Sequence, residues 1–171
     1  MLITQAYREQ NAAMHLAKPH YGNGGYLAAA RVERLARELG ATSILDYGCG
    51  KGSLAEALRH LPVACYDPAI PGRDEPPVPA DLVVCSDVME HIEPDCLSDV
   101  IRHLHALSRK ALYLEIATVP ALKHLPDGRN AHLIVEPAKW WLNQFSHLFA
   151  LLTVAEGDKD FCALFRPRAV Q

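Results

Sequence analysis

No run of this 171-residue chain approaches the ~20 apolar residues that a membrane-spanning helix needs, and no hydrophobic signal core follows Met1. Both absences lead to the expectation of a soluble, cytoplasmic protein. Five cysteines are present (Cys49, Cys65, Cys85, Cys96 and Cys162), but there is no C-x-x-C pair. That speaks against a zinc ribbon or a disulfide framework. Most lie in strand-like runs and read as small buried hydrophobes in a reduced compartment. Basic residues are in the minority, 17 against 20 acidic ones, with a net charge of −3 and a pI near 6.3. A dedicated nucleic-acid surface would be basic, so nucleic acid is not the expected partner. Arg31, Arg34 and Arg37, at helical i, i+3, i+6 spacing, read as a solvated helix face. There is no internal repeat or low-complexity segment. The remaining composition, 50 % hydrophobic and 22 % charged, is that of one globular domain spanning 1–171, with a helical or lid-like segment at 1–40 and a core at 41–171.

What the chain does have is a glycine-rich turn on the end of a short apolar strand. Ile44 and Leu45 lead through Asp46 and Tyr47 into Gly48-Cys49-Gly50-Lys51-Gly52, and a helix-forming run follows from Ser53 to His60. Glycines there let the backbone turn sharply and approach a ligand closely, and the helix start presents unpaired N–H groups. The spacing is G-x-G-x-G, not the G-x-G-x-x-G of a dinucleotide fingerprint. An acid on the strand end, Asp46, suits an amine-bearing ligand better than a pyrophosphate. A second apolar strand, Pro62 to Tyr66, ends in Asp67, 19 residues after Gly48 (67 − 48). An acid at that place in a βαβ unit holds ribose hydroxyls. A third strand begins at Asp81 and ends in the polar edge Ser86-Asp87-Val88-Met89-Glu90-His91.

Taken in order, these three elements resemble the class I S-adenosylmethionine (SAM) dependent methyltransferases from about Ser43 onward. The resemblance implies an α/β, Rossmann-like, mostly parallel sheet with helices on both faces and an antiparallel C-terminal hairpin. It implies SAM as cofactor, bound by Asp46, Tyr47, Gly48, Cys49, Gly50, Gly52, Asp67, Pro68, Ser86, Asp87 and Val88. Lys51 could reach the cofactor carboxylate or be a surface lysine. One departure stands out. Only 13 residues, Pro68 to Ala80, separate Asp67 from Asp81, and five are proline. They cannot hold a helix and a strand. The sheet is therefore expected to be shortened, lacking the edge strand and helix that usually follow the second strand. In the family, the loop after that strand often carries the acid that reads the adenine amino group.

The remaining chain reads as α/β alternation. Helices are expected at Tyr26–Leu39 with Gly40 as C-cap, at Pro94–Lys110 and at Glu136–Phe149. Strands are expected at Ala111–Ala117, Ala150–Ala155 and Phe161–Arg166. A polar loop of ~15 residues, Thr118 to His132, is long enough to be functional. His103 and His105 read as solvent-facing. Of Trp140 and Trp141, one is expected in the core and the other could line an acceptor pocket. Tyr7, Arg8 and Tyr21 belong either to a lid over the cofactor or to a packed N-terminal helix.

Asp87, Glu90 and His91, on one face of a helical turn, form a D-x-x-E-H group just past the third strand. His132 comes much later, shortly before a helix. This layout is similar to ubiquinone-biosynthesis O-methyltransferases and small-RNA 2′-O-methyltransferases. In the RNA enzymes these positions hold magnesium, so the resemblance implies Asp87, Glu90, His91 and His132 as ligands of a divalent metal such as magnesium. Asp87 is shorter than the glutamate those families carry. Without a metal, His132 or His91 would be the general base, with Glu90 beside them. The leading expectation is methyl transfer to a small or medium-sized acceptor at oxygen. A catalytically silent SAM-binding or partner protein, an RNA methyltransferase and a nucleotide-dependent oxidoreductase are the alternatives.

Overall fold

The computed structural model describes residues 1–17 and 24–169. Tyr21, one of the residues read as part of a lid or N-terminal helix, lies outside the described residues. Strands β1 (Ile44–Tyr47), β2 (Val63–Tyr66), β3 (Ala80–Ser86), β4 (Ser108–Ala117), β5 (Phe149–Glu156) and β6 (Asp160–Pro167) form one sheet in the order β2-β1-β3-β4-β6-β5. The first four run parallel, while β6 is antiparallel to both β4 and β5. The chain leaves β1 toward β2 on one side and returns to β3 on the other. Open α/β sheets bind ligands where strand order reverses in this way, outside the carboxyl ends of the strands.

Residue alternation along the strands divides the core into two layers. Leu45, Val83, Cys85, Leu112 and Leu114 face α4 (Leu97–Leu107) and α5 (Ala138–Phe145), through Leu97, Val100, Ile101, Leu104 and Leu107 of α4 and Trp141 and Phe145 of α5. Ile44, Leu82, Val84, Ala111 and Tyr113 face α2 (Gly25–Glu38) and α3 (Ser53–Ala57), through Ala28, Val32, Ala36 and Leu54. The parallel strands are thus apolar on both sides, as buried parallel sheets require.

Residues 68–79 contain neither helix nor strand, so β2 is the sheet edge, as expected. Several boundaries differ from expectation. The helix read to Lys110 ends at Leu107, because Arg109 and Lys110 belong to β4; Lys110 there pairs with Asp81 at 3.0 Å. The helix read to Phe149 ends at Phe145. Phe149 opens β5 and packs with Phe145 and Phe165, ring centroids 5.8 and 5.9 Å away. α3 stops at Ala57 instead of His60, as Leu58 leaves helical geometry. The mixed N-terminal stretch contains a 13-residue helix, α1 (Gln5–Ala17). His103 is not solvent-facing: its Nδ1 lies 3.0 Å from the Tyr47 hydroxyl, beside the Tyr66 ring.

Candidate functional site

The glycine turn passes directly under the chain that leaves β3. Gly48 has φ +76°, and a Cβ there would lie 2.4 Å from Val88 Cγ2. The Gly48 and Cys49 N–H groups donate to the Tyr66 carbonyl at 2.8 and 3.0 Å, which locks the turn onto β2. Asp67, at the end of β2, is buried and fixed: Oδ2 accepts the Gly50 N–H at 3.1 Å, and Oδ1 accepts the Ala69 N–H at 2.9 Å. The Arg73 guanidinium donates to the Gly50 carbonyl and covers Gly52. Asp46 is buried, and desolvation first, then the neighbouring Cys65 and Asp67, push its carboxyl up to about 7.

A cavity of about 870 Å³ opens above these strand ends. Tyr47, Gly48, Gly50, Asp67, Pro68, Asp87 and Val88, seven of the expected cofactor contacts, line it. Asp46, Cys49 and Ser86 line a recess of about 40 Å³, which shares Gly24, Gly48 and Asp87 with the large cavity. Gly52 lines neither and sits at the start of α3 with φ +77°.

The other end of the cavity holds the D-x-x-E-H group. It is not one face of a helix. Asp87 has φ +59°, a left-handed backbone that costs a non-glycine residue about 1–2 kcal/mol, and its N–H donates to the Glu115 carbonyl at 2.9 Å. A single 3-10 turn, Met89–His91, then carries Glu90 and His91. Glu90 is completely buried. Its Oε1 accepts the Ala117 N–H at 2.8 Å, while Oε2 has no donor among the described residues. Burial, followed by the Asp87 charge, pushes the Glu90 carboxyl up to about 8.

His132 arrives from the loop between β4 and α5. Asn130 braces that loop: its Oδ1 accepts N–H groups of Ala121 and His132, and its Nδ2 donates to the Ala121 carbonyl, all at 2.9 Å. His91 donates Nδ1–H to the Ala131 carbonyl at 2.7 Å, and His132 donates Nδ1–H to the Val119 carbonyl at 2.6 Å. Both imidazoles therefore keep Nε2 as the lone-pair atom. Burial lowers the His91 pKa. Ligand atoms from Asp87, Glu90, His91 and His132 all lie within 4.8 Å of one another. The orphaned Glu90 oxygen, the two carbonyl-anchored imidazoles and the second carboxylate could hold a divalent ion, and the residues present fit such an ion.

Two further sets of cavity residues have no clear signal in the sequence. Tyr7, Asn11 and His15 of α1 line the cavity one turn apart, and only Tyr7 had been singled out. Lys123 and Lys159 also line the cavity. Trp141 is fully buried, but Trp140 packs on it, 5.0 Å between centroids, and does not line the cavity. Among the described residues, no helix is long and apolar enough to cross a membrane.

A family model described as a methyltransferase domain matches residues 20–155. No curated protein sequence matches the chain. Among solved structures, 1,6-didemethyltoxoflavin-N1-methyltransferase of Burkholderia thailandensis, with bound 1,6-didemethyltoxoflavin and S-adenosylhomocysteine, superposes with a TM-score of 0.69 at 15% identity, covering 96% of this chain and 88% of its own. The N-methyltransferase NodS of Bradyrhizobium japonicum WM9, in complex with S-adenosylhomocysteine, gives 0.65 at 14% identity, over 95% and 100%. Magnesium protoporphyrin IX methyltransferase of Synechocystis PCC 6803 gives 0.61 at 17% identity, over 85% and 84%. The chain belongs to the methyltransferase-domain family and has the fold of the class I SAM-dependent methyltransferases.

Proposed function

We propose that this protein transfers the methyl group of SAM to an oxygen of a small or medium-sized acceptor. The observation that carries the reading is one continuous cavity with Asp67 at one end and the Asp87/Glu90/His91/His132 cluster at the other. Methyl transfer from a sulfonium is an in-line substitution, and the cofactor brings the activated carbon. The protein has to align donor and acceptor and remove the acceptor's proton. In this reading Asp67 holds the ribose hydroxyls, its orientation set by Gly50 and Ala69. Asp46 faces the ammonium end of the methionine part, with Tyr47, Gly48, Pro68, Ser86 and Val88 around the cofactor.

At the acceptor end, Asp87, Glu90, His91 and His132 would hold a divalent ion. When bound, such an ion makes an acceptor hydroxyl more acidic and fixes its direction. Two imidazoles beside two carboxylates favour manganese, iron or zinc over magnesium, which prefers oxygen donors. The same geometry supports a second, metal-free reading. His132, held by Val119 in the tautomer with Nε2 open, accepts the acceptor's proton directly. Two of the neighbours described above act, by their names, on small molecules, 1,6-didemethyltoxoflavin and magnesium protoporphyrin IX, which supports an acceptor of that class.

The test is transfer of label from methyl-labelled SAM to a panel of hydroxylated aromatic acceptors, with and without manganese. Labelled methyl ether that disappears in His132→Ala supports the proposal. Label found only on nitrogen, or turnover unaffected in His132→Ala, removes the oxygen chemistry or the role of His132.

A further inference from the structure

We infer that α1 supplies the adenine-reading wall of the cofactor site, with Asn11 hydrogen-bonding the adenine edge and His15 packing on the ring. This rests on the SAM reading above. With β2 at the sheet edge, the flank of the cavity beyond Asp67 is built from Pro68 and Ala69, which offer no polar side-chain atom. The acids in the following loop do not reach the cavity. Asp74 is bonded to Arg8 and to the Gly72 N–H, and Glu75 does not line it. A purine bound next to the ribose site therefore finds no base-specific partner on the sheet side.

α1 crosses that open flank and is held there at several points. Thr4 bonds Glu93 through both N–H and hydroxyl at 2.8 Å, the Tyr7 hydroxyl donates to the His91 carbonyl at 2.7 Å, and Arg8 pairs with Asp74. These contacts fix which way the helix runs. Tyr7 stands at the His91 end of the cavity. His15 stands at the other end, within the fields of Asp67, Lys51 and Arg73. Eight residues at 1.5 Å per residue place Tyr7 and His15 about 12 Å apart along the axis, with Asn11 midway on the same face. Asn11 is only 9 % exposed, and its Nδ2 donates to the Tyr7 carbonyl at 3.3 Å, a bond that sets which way the carboxamide faces. Such a carboxamide is the bidentate complement of adenine, because its oxygen accepts from the 6-amino group while its second N–H donates to a ring nitrogen. An imidazole packs on a purine face with little regard to which purine it is.

The two roles separate experimentally. Calorimetric titration of the full chain would compare S-adenosylhomocysteine with S-inosylhomocysteine, in which a carbonyl replaces the 6-amino group. The wild-type protein is expected to prefer the adenosyl ligand by about 10-fold or more. Asn11→Ala should bring that ratio close to one, and alanine keeps the helix. Asn11→Ser gives the same reading should the alanine variant not fold. His15→Ala should weaken both ligands by a similar factor and leave the ratio unchanged. A wild-type protein that binds both ligands equally overturns the inference, as does an Asn11 variant that keeps the full preference. A protein that binds neither ligand contradicts the SAM reading itself.

Discussion

His91 and His132, 41 residues apart in sequence (132 − 91), meet edge to face with ring centroids 4.9 Å apart and an interplanar angle of 83°. Each spends its Nδ1–H on a main-chain carbonyl of the same loop. Two imidazoles anchored in this way present lone pairs to one point. Metal-ligating histidines are commonly held by such a bond from the other ring nitrogen.

The first prediction concerns that point. Manganese at about 100 times its dissociation constant should stabilise the protein by about 2.7 kcal/mol, seen as a rise in Tm. His132→Ala and Glu90→Gln should each remove most of the rise. An equal rise in wild type and both variants would place the ion elsewhere. Because the ligands must be deprotonated, metal affinity should fall as the pH drops.

A second prediction follows from Asp46. Its carboxyl is raised from the ordinary 3.8 to about 7, so its contribution to folding is fully present below about pH 4 and is lost as pH rises through 7. A ligand ammonium favours the ionised form, so binding releases a proton below that pKa. Affinity for S-adenosylhomocysteine should therefore increase between pH 6 and pH 8. Asp46→Asn should flatten the profile; the same slope in that variant would assign the titration to another group.

The third concerns Asp67. Asp67→Ala should weaken S-adenosylhomocysteine binding by about 1–3 kcal/mol through loss of charged hydrogen bonds. Calorimetry decides it, and unchanged affinity would end the ribose assignment.

The fourth tests the crossing of Gly48 and Val88. Gly48→Ala would place a methyl 2.4 Å from Val88 Cγ2 on a backbone of φ +76°. Cofactor binding should be lost and Tm lowered. Adding Val88→Ala should restore only part of the loss, since the left-handed backbone still costs about 1–2 kcal/mol. Full restoration would mean that the contact alone matters.

The sheet was legible because its signals are local. The apolar strands ending in Asp46, Asp67 and Ser86 carry their own pattern, and the five prolines between Pro68 and Ala80 announce the shortened edge. Boundaries were less legible where tertiary packing overrides helix propensity. Phe149 leaves the helical pattern to complete the Phe145–Phe165 cluster, and Lys110 joins a strand that brings it to Asp81. In the site, the residue types around Asp87 and His132 could be read, but the means of bringing them together could not. Asp87 takes a left-handed backbone where a helical turn was expected, and Asn130 folds the distant loop back. Asn11 and His15 gave no signal of their own. Only the docking of α1 by Thr4, Tyr7 and Arg8 turns their i, i+4 spacing toward the cavity.

The most direct test of the account is calorimetric titration with S-adenosylhomocysteine, in the presence and absence of manganese and with NAD as control. Binding in the micromolar range, about −8 kcal/mol, is expected, with extra heat in the presence of manganese and none with NAD. Absence of S-adenosylhomocysteine binding, or binding of NAD in its place, would contradict the account.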